Sequence, residues 1–584
     1  MPGSEVEKIK EDSRALRGTL KETCESDASH FSHEEYQLLK FHGSYQQDDR
    51  DQRNERKKAG QDKAWIFMIR TKTPGGSLSS KQYLEFDRIA GDLGNNTLRI
   101  TTRQGIQFHG ILKAGFKETI QRLNRVGVTT KGACGDVVRN TLAAAAPFQN
   151  AVYREVQRLA KELSDTFLSR SRSYTEIWLD GKKLNADVPN DSPTDEEPIY
   201  GKVYLPRKFK FAIAVPPYND IDVFTNDVGF IAHAPNGQVE GYNVFVGGGL
   251  GMTHGMLKTH PMLAQPLFYV KKEHAPAAAV AIVTMQRDFG NREDRKISRL
   301  KHVVEDRGIE WVRQEVGSRL KAPTEPIKPF AFVSVADLLG WHEQGDGKLF
   351  CGIFVTEGRI QDAHDVHYRS AFRVIAEKFG FPMRFTANCN LYFHDIDPSK
   401  RKEVDEILKA HKVPHTDGFT ESRKTAHACV ALPTCGLALA ESERIFPALM
   451  DSIDGVLREL KLEKEPILFR MTGCPNGCAR PYNADFAFVG RAPNKYAFFV
   501  GGSIVGDRLA GLEKKMVELK DIPSVVRSYL KEFAEKRKNG ETFSQYWGRT
   551  HVNGAKPVPE QFHIELAERE ARLAGAKQPA SVSE

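Results

Sequence analysis

The chain has 584 residues, and at roughly 150 residues per domain that length points to about four domains. Hydrophobic residues make up 40% and charged residues 27%, which excludes a collagen, a mucin, a mostly disordered chain and a disulfide-dense miniprotein. The net charge of +8, from 84 basic and 76 acidic residues, suits an acidic partner or an anionic substrate. No Arg/Lys block with interleaved aromatics and no zinc-finger spacing points to nucleic acid.

Residues 1–64 read as an N-terminal arm. Its start, MPGSEVEKIKEDSRALRG, lacks an apolar h-region and is too acidic for a transit peptide. The expected compartment is the cytoplasm, where the eight cysteines serve as thiols or ligands rather than bridges. The mixed-sign run at 48–58 reads as a solvated helix or coil. AWIFMIRTKTP then places Arg70 late in an apolar strand. If TLRITTRQGIQFHG is one extended strand, Arg99, Thr101, Arg103, Gly105, Gln107 and His109 share a face, with Ile100, Ile106 and Phe108 opposite. Such a face is either exposed sheet or the wall of a cleft that binds several carboxylates. DVVRN places Arg139 in a short strand.

The stretch 184–198 is Pro/Asp-rich and reads as a loop. In YLPRKFKFAIAVPP, Lys208 and Lys210 share a face while Phe209, Phe211 and Ile213 pack on the other. Each of Arg70, Arg139, Lys208 and Lys210 alone reads as a surface charge; converging on one cavity, they would make an anion site. The longest apolar run, near Ala277–Val283, is a core segment far short of the roughly 18 residues of a membrane span. Residues 322–329, APTEPIKP, read as a linker. Val526, Tyr529, Leu530 and Phe533 form the buried stripe of an amphipathic helix. The polar tail after 571 reads as frayed.

The chain repeats itself. RITTRQGIQFHGI from Arg99 and RFTANCNLYFHDI from Arg384 share Arg, Thr, Phe, His and Ile at matching positions. A second echo joins APNGQVEGYNVFVGGGLG from Ala234 to APNKYAFFVGGSIVG from Ala492. Two echoes in the same order imply two related halves about a pseudo-twofold axis, and clefts between such parts commonly hold ligands.

Four cysteines fall in two close pairs, Cys429 and Cys435 in ACVALPTCG, Cys474 and Cys478 in TGCPNGCAR. Zinc usually takes C-x2-C knuckles, whereas four thiolates are what a [4Fe–4S] cluster requires. Zinc and structural thiols remain the alternatives. Gly436, Gly473 and Gly477 let the backbone approach the sulfurs. Cys24, Cys134, Cys351 and Cys389 stand apart, and buried inert thiols are the default for each.

Through FHGSYQQDDRD, TTRQGIQFHGI, YLPRKFK, NVFVGGGL, ACVALPTCGLALAESER and TGCPNGCARP, the chain resembles the siroheme and iron–sulfur sulfite/nitrite reductase family, within it the assimilatory sulfite reductase hemoproteins. The resemblance spans roughly 38–560 and implies an α+β fold of three domains with an internal duplication. Its parts would be a composite ferredoxin-like domain at 65–130 plus 333–415, a siroheme and substrate domain at 131–332, and a cluster domain at 416–584. By resemblance, Cys429, Cys435, Cys474 and Cys478 ligate a [4Fe–4S] cluster, and Cys478 also bridges to siroheme iron. Arg99, Arg103 and Lys301 neutralise siroheme carboxylates, with Gln107, His109 and Asn476 adding hydrogen bonds. Arg70, Arg139, Lys208 and Lys210 hold the anion distal to the iron. The implied reaction is six-electron reduction of sulfite to sulfide, with Lys208 and Lys210 as candidate acids. A siroheme nitrite reductase is the first rival, since its members commonly carry Asn in place of Lys210. A non-catalytic cluster-binding protein is a second, and a dissimilatory reductase is disfavoured by chain length. No dinucleotide fingerprint is present, so an NADPH-dependent flavoprotein or a ferredoxin must supply electrons. Cys389 stands where relatives are expected to carry Gln, and its repeat partner is Gln104.

Overall fold

The computed structural model describes residues 3–171, 173, 197–363 and 365–569. Most of the expected 184–198 loop and the tail after 571 lie outside the described residues. In chain order, the strands β1 (Ser44–Asp48), β2 (Trp65–Arg70), β3 (Ser77–Leu78), β4 (Leu98–Ile100) and β5 (Ile106–Ile111) come first. Next are β6 (Leu142–Ala143), β7 (Phe211–Ala214), β8 (Val228–His233), β9 (Gly241–Val246) and β10 (Gln265–Lys271). Then follow β11 (Gly340–Glu343), β12 (Leu349–Ile353), β13 (Arg359–Ile360), the hairpin β14 (Asp362–Ala363) and β15 (Val366–His367), β16 (Met383–Phe385) and β17 (Leu391–Ile396). The last group is β18 (His427–Ala428), β19 (Phe469–Thr472), β20 (Phe486–Ala492), β21 (Lys495–Val500) and β22 (Gly511–Glu518). The chain divides into two units, Met1–Gly248 with Ala264–Asp417, and Gly249–Leu263 with Gly418–Glu584.

The first unit contains the first duplication. One sheet has the order β1-β2-β5-β4-β13 and a second has β11-β12-β17-β16-β3. Each thus receives its last strand from the other half: β13 pairs with β4, and β3 pairs with β16. The exchange begins at two matching turns, Pro74–Gly76 and Thr356–Gly358, whose second residues Gly75 and Glu357 both have positive φ. Helices Ser80–Asp92 and Tyr368–Phe379 follow the exchanged strands, and Asp87 on the first accepts from both Arg369 Nε (2.5 Å) and Arg373 Nε (2.6 Å) on the second. Ser79 starts its helix with a reciprocal capping box to Gln82.

The segment 98–111 is not the single strand expected. It is a hairpin, β4 against β5, with Leu98 opposite Phe108 and Ile100 opposite Ile106. Thr101 closes the turn by accepting from Gln104 N, while its hydroxyl accepts from Gly105 N. Thr386 does the same for Cys389 N and Asn390 N. Gln104 (φ 53°) and Cys389 (φ 69°) both occupy the left-handed region that this turn needs.

The second duplication joins the other two sheets. The orders β10-β9-β8-β7-β6 and β22-β21-β20-β19-β18 match strand for strand. In each, the first three strands in sequence run parallel and the last two turn antiparallel. The APN echo is the β8–β9 and β20–β21 connection. Helices Ala275–Phe289 and Ile522–Lys536 close the two copies, each with proline in its first turn, where a missing N–H costs nothing. The first buries Ala278, Ala279, Ala281, Ile282 and Val283 of the apolar run and leaves Ala277 exposed. The second buries Val526, Leu530 and Phe533 with Tyr529 half-buried, as the periodicity requires. Residues 322–329 lack regular structure but are pinned, Glu325 to Tyr269 of β10 and Lys328 to Asn243 of β9. Residues 53–58 of the charge run form an exposed helix.

Candidate functional site

In the first unit, antiparallel pairing lines up polar residues across four strands. Arg70 lies opposite Gln107, Gln107 opposite Arg99, and Arg99 opposite Arg359. Directly opposed residues project to the same side of a sheet, so β2, β5, β4 and β13 build one row from residues far apart in sequence. Hydrogen-bonding chemistry sets Gln107 with its oxygen accepting from Arg70 Nε (3.2 Å) and its amide donating to His109 Nε2 (3.2 Å). The neighbouring row, Ile69, Phe108, Leu98 and Ile360, is fully buried on the other side. The alternation thus holds for Arg99, Gln107 and His109, while Arg103 and Gly105 belong to the turn. There Arg103 Nη1 donates to Asn226 Oδ1 (2.5 Å), and Nη2 donates to the carbonyls of Phe211 (3.1 Å) and Asn140.

Lys208 and Lys210 precede β7, and Phe209 between them bridges to Val138. Arg139 is therefore beside an isolated bridge rather than in the short strand expected. Lys210 is held well below an ordinary lysine pKa, first by burial and then by Arg299, Lys208 and Arg103, with Asp227 opposing. Buried Lys301 is pushed down to about 7 by desolvation and by Arg299. Asp227, itself fully buried, pairs with Arg299 at 2.7 Å. Arg299, Lys210 and Lys301 thus share one carboxylate while Lys208 and Arg103 add their charge beside Lys210, an arrangement whose repulsion an anionic ligand would relieve.

Arg139 forms a second group. Its Nη2 donates to Gly135 O (3.2 Å) and lies 3.5 Å from the Tyr45 hydroxyl. Cys134 is buried, as expected, and its Sγ accepts from Arg70 Nη1 at 3.3 Å. Lys40 is lowered to about 8 by burial, with Arg295, Arg207 and Arg139 adding to the effect and Asp136 opposing it. Of the other separate cysteines, Cys351 and Cys389 are buried, and Cys24 is pushed up to about 12 by burial. A Cβ on Gly358 would lie 2.8 Å from Cys389 Cβ and 2.5 Å from Arg99 Nη1, which puts Cys389 beside the polar row.

The second unit carries the cysteine pairs. Cys429 follows β18 and Cys474 follows β19 by two residues. Gly473 donates its N–H to Cys429 Sγ (3.4 Å), and its carbonyl accepts from Leu439 N and Ala440 N. Asn476 Nδ2 donates to Cys474 Sγ at 3.5 Å. Burial and the neighbouring Cys478 raise Cys429, and the same causes push Cys474 up to about 11. Crowded thiols of this kind ionise when a cationic centre compensates them. Among the described residues no group of three or more His, Cys, Asp or Glu is set to hold a metal ion. A four-iron cluster offers each thiolate its own iron, and the all-sulfur donor set with N–H support from Gly473 and Asn476 fits it.

Two family models match. The nitrite/sulfite reductase ferredoxin-like half domain covers 59–126 and 342–411, and the nitrite and sulphite reductase 4Fe-4S domain covers 160–324. The sulfite reductase [NADPH] hemoprotein beta-component of Anoxybacillus flavithermus is 43% identical over 546 residues, 93% of this chain and 95% of that protein. Its counterpart in Staphylococcus saprophyticus is 42% identical over 560 residues, 96% and 98% of the two chains. The chain belongs to the nitrite and sulfite reductase family. The solved structure of the Mycobacterium tuberculosis NirA protein shares the fold, with TM-score 0.76, 23% identity, and coverage of 95% of this chain and 98% of that one.

The segment matched to the family's 4Fe-4S domain contains no cysteine; it is the first copy of the second duplication, and the thiols are in the other copy. In this family member the sequence reading missed Arg299, Asp227, Arg207, Arg295, Asp136 and Arg359. Arg207 adjoins the K-x-K pair and Arg299 lies two residues before Lys301, so proximity to chosen residues was the available signal. Asp227 and Arg359 gave none, because only folding brings them to the site.

Proposed function

We propose that this chain is the hemoprotein component of an assimilatory sulfite reductase, reducing sulfite to sulfide by six electrons at a siroheme coupled to a [4Fe–4S] cluster. The observation that carries the reading is identity above 40% over almost the whole chain to proteins named as sulfite reductase hemoproteins. When bound, the two cofactors would relay electrons from the external donor to the sulfite sulfur. Cys429, Cys435, Cys474 and Cys478 would hold the cluster, with Cys478 also the residue that would serve the siroheme. Arg99, Arg103 and Lys301 offset siroheme carboxylates, aided by Gln107, His109 and Asn476. Arg70, Arg139, Lys208 and Lys210 bind sulfite oxygens, and fixed cations in a desolvated site favour the more anionic bound states. Lys210, its proton loosened by burial and neighbouring cations, is the first candidate general acid.

Nitrite is an alternative substrate of the same site, and Lys210 in place of Asn favours sulfite. The relatives' names include NADPH; with no nucleotide fingerprint in this chain, an NADPH-dependent flavoprotein is the proposed electron donor, with ferredoxin as the alternative. The described residues contain no helix long and apolar enough to cross a membrane; a cytoplasmic location is part of this proposal, as is the division at 65–130 plus 333–415, 131–332 and 416–584. The test is the visible spectrum of protein purified from cells that make siroheme. A Soret band with a strong red isobacteriochlorin band is expected, and sulfide should form with a reduced dye. A featureless brown cluster spectrum under confirmed siroheme supply would overturn the reading.

A further inference from the structure

The helix Glu5–Asp12 carries two buried ions that the anion chemistry above does not use. Lys10 is 1% exposed and Glu7 7%. Lys10 Nζ donates to Glu7 Oε1 (2.5 Å) and to the Leu205 carbonyl (3.0 Å), and lies 3.7 Å from Asp136 Oδ2. Glu7 Oε2 holds Arg292 Nη1 at 2.5 Å, and Arg292 Nη2 donates to the Tyr204 carbonyl at 2.8 Å. Arg295 grips Asp136 through Nη1 (2.9 Å) and Nη2 (3.1 Å), and its Nη1 reaches the Pro206 carbonyl at 3.5 Å. The Leu205 N–H donates to the Asp136 carbonyl at 3.1 Å.

Three consecutive carbonyls, 204 to 206, are therefore each held by a different cation of one network. They belong to the run that leads directly into Lys208 and Lys210. The same Asp136 lies three residues before Arg139. Tyr204 sits at φ 57°, a conformation that a non-glycine residue keeps only where its surroundings over-determine it. An apolar core would hold the arm equally well; a buried ionic network instead fixes specific backbone atoms, and it is costly to leave half-made.

We infer that Lys10 is a positioning residue for the anion pocket: through the Leu205 carbonyl and Asp136 it sets where Lys208, Lys210 and Arg139 stand. The inference rests on reading those three residues as sulfite-binding. It makes the N-terminal arm part of the catalytic apparatus without contact to substrate.

The test uses full-length holoenzyme with reduced methyl viologen as donor. In Lys10→Met, siroheme and iron content stay at the unsubstituted level, while the sulfite KM rises about tenfold and kcat changes far less. Glu7→Gln, which keeps Lys10 but frees Arg292, moves KM the same way by a smaller factor and stands in should Lys10→Met fail to fold. Unchanged KM in both variants overturns the inference. So does a parallel fall of cofactor content, melting temperature and kcat with KM unmoved, which marks a stability role alone. Lys210→Ala run beside them separates the two readings: if it leaves sulfite binding and turnover unchanged, the pocket assignment itself fails.

Discussion

Lys210 sits among Arg299, Lys208 and Arg103 with Asp227 as the opposing charge, and this crowding has a measurable consequence. A general acid works in its protonated form, so activity is lost as pH rises through its pKa. Replacing Lys208 by Met removes one neighbouring cation and raises the Lys210 pKa. The alkaline limb of the kcat/KM profile should then move to higher pH; a limb that stays, or moves to lower pH, dissociates Lys210 from the proton step. Lys210→Ala should keep both cofactors and lose about 10²-fold or more in turnover, measured by sulfide release. Gly473 is constrained differently. A Cβ there would lie 2.5 Å from the Ala440 carbonyl and 2.6 Å from Ala431 Cβ, both on the loop that carries Cys435. Gly473→Ala should therefore lower bound iron and acid-labile sulfide relative to total protein, and full occupancy would show that the loop can yield. The cysteines were legible because their spacing is local. Asp227 and Arg299 were not, because nothing in a linear reading marks a carboxylate that pairs across 72 residues.

The elements were legible where periodicity is long and one face is buried, as in the helix at 522–536. The reading failed at 98–111, where alternation ran unbroken through Thr101 to Gly105 and concealed a turn. The signal was the T-x-x-x-G/N spacing shared by Thr101 and Thr386, whose hydroxyls cap the same turn in both repeats. The exchange of β3 and β13 was invisible for another reason: two-residue strands carry no pattern. Gly358 stands in the turn immediately before β13 with φ +69°, and a side chain there would press on Arg99 Nη1, the Ile100 carbonyl and Cys389. Gly358→Ala should destabilise the chain by about 1–3 kcal/mol, read as a melting temperature lower by several degrees. It should also lower siroheme content through displacement of Arg99. An unaltered melt would mean that the exchanged strand can shift without loss.

At the scale of the whole molecule, the two duplications have divided the chemistry. Arg70 and Gln107 of the first ferredoxin-like half map onto Gly352 and Tyr392 of the second, since both pairs are cross-strand partners at the same register. Cys429 and Cys474, one and two residues beyond their strands, map onto Ala144 and Pro216 in the other copy. Arg99 keeps a counterpart in Arg384, but Arg70 and Gln107 do not, and the paired cluster thiols stand in one copy alone, so neither repeat retains a complete site. Nothing in either copy supplies a nicotinamide or flavin fingerprint, and the charge excess of +8 on 584 residues is too small to name a donor. The isolated chain should therefore reduce sulfite with reduced methyl viologen and leave NADPH unoxidised, with NADPH consumption appearing only when a flavoprotein partner is added. Stoichiometric NADPH oxidation by the purified chain alone would reveal a nucleotide site that neither sequence nor fold has disclosed. Activity with a ferredoxin but not with the flavoprotein would reassign the donor while leaving the sulfite chemistry intact.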